Sequence, residues 1–169
     1  GVFVNNHHAK NFDLPRLAGW WGNDEKTRFR MHKHFVPQIG AAGWQLSNAP
    51  VLSMAAHKAS LEIFDRVGMK ALRQKSELLT GYLEWLLQSA LQSADAKVHF
   101  RIITPTDKKQ RGAQLSIQTD RNEKKLFDKI TKAGVIADWR EPDVIRVAPA
   151  PLYNSFEDVW RFAQLISTV

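Results

Sequence analysis

The sequence contains no cysteine among its 169 residues. This absence excludes disulfide bonds, thiolate metal ligands and a cysteine nucleophile, and it suits a reducing compartment, so we expect a cytoplasmic protein. No apolar run approaches the roughly 18 residues that a membrane-spanning helix needs, and we expect no membrane partner. The first residue is Gly1 instead of methionine, and no basic segment followed by an apolar one indicates a signal peptide. We therefore expect the sequence to begin within a longer protein.

The composition is that of a globular protein, with 44% hydrophobic and 24% charged residues and a net charge of +7. The excess charge is local, because residues 97–134 alone carry ten basic and four acidic side chains, a net +6. We interpret this segment as a solvated basic face and expect no nucleic-acid partner, since base-stacking aromatics do not accompany it. The alternative function is a non-enzymatic binding module whose basic face contacts an acidic partner or nucleic acid. The basic residues singled out in this segment are Lys108, Lys109, Arg111, Arg121, Lys124, Lys125, Lys129 and Lys132.

Three regions follow one another along the chain. Residues 1–50 are rich in glycine, aromatics and histidine and lack a sustained period, which indicates irregular loops with close backbone approaches. Residues 51–92 have the spacing of a long amphipathic helix, with Leu72, Leu79, Leu83 and Leu86 on one face, and Gly68 could bend or divide it. Residues 93–169 alternate between strand and helix composition and predict a small α+β domain, a sheet covered on one face by helices.

The third region contains the predicted elements in detail. A serine at position 155 and an aspartate three residues later predict a capping box at the start of a final helix. Gly134 predicts the end of the preceding helix. The predicted elements are strands at Val98–Thr104 and Gln114–Thr119, a turn at Pro105–Gly112, a helix at Asn122–Ala133, and strands at Val135–Asp138 and Val144–Val147.

Few residues suggest chemistry by pattern alone. His7, His8, His32 and His34 lack a third ligand at clear spacing, so we assign no metal site, and the sequence indicates no catalytic residue. An indole N–H and a side-chain amide are neutral donors suited to a phosphate, and an arginine at a strand end suits a carboxylate. The candidate binding residues are Trp20, Trp21, Asn48 and Arg146.

Several blocks of the sequence together resemble the kynureninase family. They occur in order over nearly the whole chain, and as a set they are specific to that family. The blocks are Leu17-Ala18-Gly19-Trp20-Trp21-Gly22, Thr27-Arg28-Phe29-Arg30-Met31, Gly43-Trp44-Gln45-Leu46-Ser47-Asn48-Ala49-Pro50, Ala59-Ser60-Leu61-Glu62-Ile63-Phe64 and Ile145-Arg146-Val147-Ala148-Pro149-Ala150-Pro151-Leu152-Tyr153-Asn154-Ser155-Phe156.

The resemblance implies the C-terminal part of an aspartate-aminotransferase-like α/β fold that binds pyridoxal 5′-phosphate and acts as a homodimer on L-kynurenine or 3-hydroxykynurenine. It implies that Trp20 donates its indole N–H to the cofactor phosphate and that Asn48 lies near the cofactor across the dimer interface. It also implies that Arg146 binds the substrate α-carboxylate and that Trp21 lies near the substrate ring. On this basis residues 1–50 are the tail of the large cofactor domain, 51–92 a bridging helix, and 93–169 the small domain.

The family's Schiff-base lysine lies in a Tyr-Lys-Tyr-Leu-Asn-type motif, which this sequence does not contain. A pyridoxal-phosphate enzyme needs this lysine and the residues that tune the pyridine ring. We therefore expect the 169-residue chain to be inactive alone and to function as part of a full-length enzyme that hydrolyses a carbon–carbon bond in tryptophan catabolism.

Overall fold

The computed structural model describes residues 1–92, 99–120 and 124–168. They divide into two compact units, Gly1–Leu61 and Glu62–Val169, which are treated separately below. The assignment of 1–50, 51–92 and 93–169 to a cofactor domain, a bridging helix and a small domain stays a prediction.

The first unit is built largely from short 3-10 helices and loops that approach one another closely. A Cβ atom on Gly19 would lie 2.2 Å from the Cα atom of Leu46, and one on Gly22 would lie 2.9 Å from the carbonyl oxygen of Gly43. Only glycine fits such contacts, so the close backbone approaches expected around the tryptophans are confirmed. The short helices are Asn6–His8, Trp20–Gly22, Arg28–Arg30 and Gly40–Trp44.

The predicted long helix is divided at Gly68 into α1, Val51–Val67, and α2, Met69–Leu91. Gly68 has a φ of 80°, in the left-handed region where glycine is favoured, so it ends α1 and begins α2. The apolar spacing places Leu72, Leu79 and Leu83 on one buried face of α2, as predicted. Leu86 is only half-buried, and Leu87 takes its place in the core.

The second unit combines four short strands with helices. Besides α2, its main elements are β1 Phe100–Ile102, β2 Leu115–Thr119, α3 Lys124–Lys132, β3 Asp138–Arg140, β4 Val144–Val147 and α4 Phe156–Thr168. The strands form an antiparallel sheet with the order β1-β2-β4-β3. Helices α2, α3 and α4 pack on one face of this sheet, which confirms a mixed fold with a small sheet covered by helices.

Alternation along the two central strands separates the core from the other face of the sheet. In β4, Ile145 and Val147 are buried, whereas Val144 and Arg146 are half-buried on the opposite face. In β2 the buried positions are Leu115, Ile117 and Thr119. The hydrophobic core cluster combines the apolar buried side chains of these two strands with side chains of the helices: Leu79, Leu83, Leu87, Leu126, Ile130, Val159 and Ile166.

The predicted strand at Val135–Asp138 is wrong. The chain leaves α3 through Gly134, at a φ of 91°, and the N–H of Val135 donates to the carbonyl oxygen of Ile130. This helix-end bond delays the strand, so that β3 begins only at Asp138. The predicted strand Val144–Val147 is confirmed with the same bounds, and two others are confirmed with shorter ones, Phe100–Ile102 and Leu115–Thr119. Val98 and Asn122, the first residues of two predicted elements, lie outside the described residues.

The capping box at the start of α4 is confirmed. The backbone N–H of Asp158 donates to Ser155 Oγ at 3.1 Å, and the N–H of Ser155 donates to Asp158 Oδ2 at 2.8 Å. These bonds are the largest causes that hold the pKa of Asp158 below its ordinary value. Val159, Ala163 and Ile166 then form the buried stripe of the helix.

One member of the expected solvated basic face is not solvated. The side chain of Arg111 is 3% exposed and pairs with Glu84 of α2 at 2.6 Å. Lys108 and Lys109 are exposed, as predicted, and Arg121 lies outside the described residues. Among the described residues, no helix is long and apolar enough to cross a membrane.

Candidate functional site

The two predicted tryptophans open the short helix Trp20–Gly22 of the first unit. Trp20 is 53% exposed, and its indole N–H donates to the carbonyl oxygen of Arg28 at 3.2 Å. The ring centroids of Trp20 and Trp21 lie 6.1 Å apart, so the structure brings these two candidates together. The indole donor of Trp20 is thus accessible and held by a single long hydrogen bond to a backbone carbonyl.

Arg28 organises the surroundings of both tryptophans. Its guanidinium carbon lies 4.3 Å from the ring centroid of Trp21, a cation–π distance, and its Nη1 donates to the carbonyl oxygen of Trp21. Gln38 donates to the same carbonyl at 3.0 Å. Within the described part of the chain, the buried Nε of Arg28 has no hydrogen-bond partner. Arg28 therefore places a positive charge and an unused donor beside the tryptophan pair.

A small cavity of about 130 Å³ adjoins Trp20. Its lining is mostly polar and includes an indole N–H, a guanidinium and an imidazole, donors that suit an anion. The Thr27 hydroxyl in the same lining already donates to Asp24 Oδ2 at 2.8 Å. The lining residues are Trp20, Asn23, Thr27, Arg28, Met31, His32 and Val36.

Asn48 lies in an exposed loop between the short helix Gly40–Trp44 and α1. The loop begins beside the tryptophans, because the backbone of Leu46 lies against Gly19. Among the described residues, no hydrogen bond or ring contact joins Asn48 to Trp20 or Trp21. Asn48 thus stays a predicted site residue.

Arg146 lies in the second unit, on the face of β4 turned away from the helices. In the strand register it stands directly opposite Asp138 of β3. Its Nε donates to Asp138 Oδ2 at 2.6 Å, and its Nη2 donates to the same oxygen. Arg140 Nε donates to this oxygen as well, at 3.0 Å. The predicted carboxylate-binding arginine is therefore already anchored by a carboxylate of its own chain.

The three charges in this cluster do not cancel. Asp138 carries one negative charge between the positive charges of Arg140 and Arg146. Hydrogen bonding from Arg146 is the largest cause that holds the pKa of Asp138 below its ordinary value, so the carboxylate is ionised at neutral pH. A net charge of +1 remains, and the Arg146 side chain is 32% exposed. The cluster therefore suits one further carboxylate.

The histidines form no metal site among the described residues, which contain no cluster of three or more potential metal ligands. His7 and His8 contact each other edge to face, with ring centroids 4.8 Å apart.

Comparison with known proteins identifies the family. Residues 72–166 match the family described as Kynureninase C-terminal domain. The chain belongs to the kynureninase family. It is 54% identical over 166 residues to a kynureninase of Myxococcus xanthus, covering 98% of this chain and 38% of that protein. It is 52% identical over 164 residues to a kynureninase of Koribacter versatilis, covering 97% of this chain and again 38% of the relative. The chain thus spans well under half the length of these kynureninases.

Solved structures with little sequence identity share the fold. A cysteine desulfurase from Thermococcus onnurineus superposes with a TM-score of 0.70 at 11% identity, over 98% of this chain and 41% of that one. A mutant of the lyase C-DES, with glycine covalently linked to its PLP cofactor, gives a TM-score of 0.61 at 15% identity, over 90% of this chain and 37% of the other. The expected fold class is confirmed.

Sequence reasoning missed two residues of these clusters, Arg28 and Asp138. In the sequence, Arg28 stands out only as part of a motif, although an arginine over a tryptophan ring is a known cation–π arrangement. The sequence pattern places Asp138 at the end of a predicted strand that begins three residues before β3. Only the correct register of β3 against β4 brings it opposite Arg146.

Proposed function

We propose that this chain forms the C-terminal portion of a kynureninase that uses pyridoxal 5′-phosphate to hydrolyse L-kynurenine, with 3-hydroxykynurenine as the second candidate substrate. The reaction consumes one water, breaks the Cβ–Cγ bond and yields an anthranilate and L-alanine. The observation that carries the proposal is the anchored Arg146, on a face with one net positive charge, in a chain more than half identical to named kynureninases.

Arg146 binds the substrate through its α-carboxylate in this proposal. An arginine can offer two parallel N–H donors to the two oxygens of a carboxylate, which fixes both the distance and the orientation of the amino acid. A position on a strand keeps the backbone of Arg146 fixed by hydrogen bonds to two neighbouring strands. The substrate's reacting bond then has a defined direction relative to the rest of the site.

Trp20 and Arg28 supply the phosphate contacts of the cofactor. The polar cavity beside Trp20 fits a phosphate in the chemistry of its donors, and the guanidinium of Arg28 adds a positive charge to its lining. Trp20 would exchange its bond to the Arg28 carbonyl oxygen for one to a phosphate oxygen. Pyridoxal phosphate, when bound, supplies an electron sink for the carbon framework of the substrate. The chain's own contribution is to hold and orient both partners.

Trp21 and Asn48 are the other proposed binding residues of the first unit. Trp21 lies near the substrate's aromatic ring, with its own ring face covered by Arg28 on one side. Asn48 lies near the cofactor across the interface of a homodimer, a role consistent with its exposed loop. We further propose a cytoplasmic enzyme, in keeping with the absence of cysteine.

The test is product formation by the full-length protein that carries this segment. With pyridoxal phosphate and L-kynurenine we expect equal amounts of anthranilate and L-alanine, and we expect none from the 169-residue chain alone. A full-length protein that binds the cofactor but leaves L-kynurenine intact would contradict the assigned reaction. Turnover by the isolated chain would contradict the dependence on the lysine segment.

A further inference from the structure

We propose that Asp138 is a positioning residue, which holds one edge of the Arg146 guanidinium so that its other edge is presented to the α-carboxylate of the substrate. The inference rests on the proposed function, because it assumes that Arg146 binds that carboxylate.

The hydrogen bonds define which edge is used. Asp138 Oδ2 accepts from Nε and Nη2 of Arg146, two adjacent donors on one side of the planar group. A guanidinium has five N–H donors, and Asp138 engages two of them. The Nη1 and Nη2 hydrogens at the end of the group form a second fork, which matches the spacing of carboxylate oxygens.

The strand pairing makes this arrangement rigid. Asp138 and Arg146 are opposite each other across β3 and β4, so their Cβ atoms project from the same face of the sheet at close distance. Two bonds from one guanidinium to one oxygen restrict the rotation of a long side chain that is otherwise flexible. An arginine already held in place loses less conformational freedom when it binds substrate.

The charge balance sets the class of ligand. With Arg140 and Arg146 both bonded to Asp138, the cluster carries a net charge of +1. One carboxylate neutralises it, whereas a second carboxylate at the same end of a ligand would approach Asp138 unfavourably. The site therefore favours an amino acid with a single carboxylate at the end that meets Arg146.

Removal of the Asp138 carboxylate changes both the charge of the cluster and the orientation of Arg146, and two variants separate these effects. Asp138→Ala and Asp138→Asn both remove one negative charge, so the net charge of the cluster rises by one, which by itself would favour binding of a carboxylate. Only Asp138→Asn retains an oxygen that can accept a bond from Arg146. The difference between the two variants therefore isolates the orienting hydrogen bond from the change of charge.

The experiment uses the full-length kynureninase carrying this segment, with L-kynurenine and with the amine in which hydrogen replaces its α-carboxylate. Binding of both is followed by the absorption change of the bound cofactor, and turnover by anthranilate release. We expect Asp138→Ala to weaken L-kynurenine binding about 10-fold and Asp138→Asn to weaken it no more than about 3-fold. Binding of the amine and of the cofactor should stay unchanged.

Glu157→Gln is the matched control, because it removes an exposed carboxylate that also pairs with an arginine, Arg161, in the same unit. It should leave all constants unchanged. If Asp138→Ala binds L-kynurenine as tightly as the wild type or more tightly, or if it weakens the amine equally, the inference is wrong while the proposed function stands. If the wild-type protein forms no anthranilate, the proposed function fails and the inference fails with it.

Discussion

Arg111 donates a hydrogen bond to Glu84 over 2.6 Å, and their side chains are only 3% and 13% exposed. The pair joins the turn before β2 to helix α2. Arg73 of the same helix holds that turn as well, by donating to the carbonyl oxygen of Lys108 at 2.6 Å. An ion pair withdrawn from water in this way stabilises a structure only while both partners are present.

We expect Glu84→Gln to lower the free energy of unfolding by about 3 kcal/mol, because it leaves the Arg111 guanidinium buried without a counter-charge. Chemical denaturation of wild type and variant measures the difference. Glu157→Gln, which breaks an exposed pair with Arg161, should change the same quantity by no more than about 0.5 kcal/mol. Equal losses in the two variants would contradict burial of the Glu84 pair.

Two glycines of the helical region should respond in opposite directions to alanine. Gly68 has a φ of 80°, whereas Gly81 lies inside α2, and a Cβ atom at either position would meet no atom within 4 Å. Gly68→Ala should destabilise the protein by about 1 kcal/mol because of the left-handed backbone. Gly81→Ala should stabilise it by about 0.5–1 kcal/mol. Thermal unfolding of both variants tests this, and shifts of the same sign would rule out a break between α1 and α2 at Gly68.

The capping box should make part of the stability depend on pH. Because the pKa of Asp158 is lowered in the folded state, its contribution is complete above the unfolded value and is lost as the pH falls through the folded value. Asp158→Asn should therefore unfold more easily than wild type at pH 7, and the difference should shrink below roughly pH 4. Denaturation curves at several pH values measure it. A difference that is constant down to pH 2 would contradict the role of the ionised carboxylate.

The indole N–H of Trp20 is expected to contribute to cofactor affinity in the full-length enzyme. Trp20→Phe keeps an aromatic ring but removes the donor, so the Kd for pyridoxal phosphate should rise about 10-fold. Trp85→Phe serves as the control, since Trp85 is an exposed side chain on α2. Equilibrium dialysis gives both values. An unchanged Kd in Trp20→Phe would remove Trp20 from the phosphate site.

The sequence predicted elements well where local chemistry determines them. Ser155 and Asp158 determine the start of α4, and Gly68 was recognised as a possible break. The family motifs likewise point to Arg146 and Trp20 as binding residues, and these roles stay predictions. These features depend on residues close together in the chain, so a linear pattern contains the information.

The features that were missed depend on tertiary contacts. Arg111 was assigned to a solvated face because Glu84, its partner, is 27 residues away on another element. The pairing of Asp138 with Arg146 does not follow from the sequence pattern, because the predicted strand begins three residues before β3 and therefore has a different register against β4. The end of α3, with Gly134 in the left-handed region and the bond from Val135 to Ile130, postpones β3 to Asp138, and strand composition alone does not specify this.

The most direct test of the central claim is the kcat/KM for L-kynurenine of the full-length enzyme with Arg146 replaced by lysine, measured together with cofactor occupancy. Lysine keeps the positive charge but cannot form the two-pronged contact with a carboxylate. We predict a loss on the order of 100-fold in kcat/KM with pyridoxal phosphate still fully bound. Kinetics close to those of the wild type would contradict the assignment of Arg146 to the substrate carboxylate.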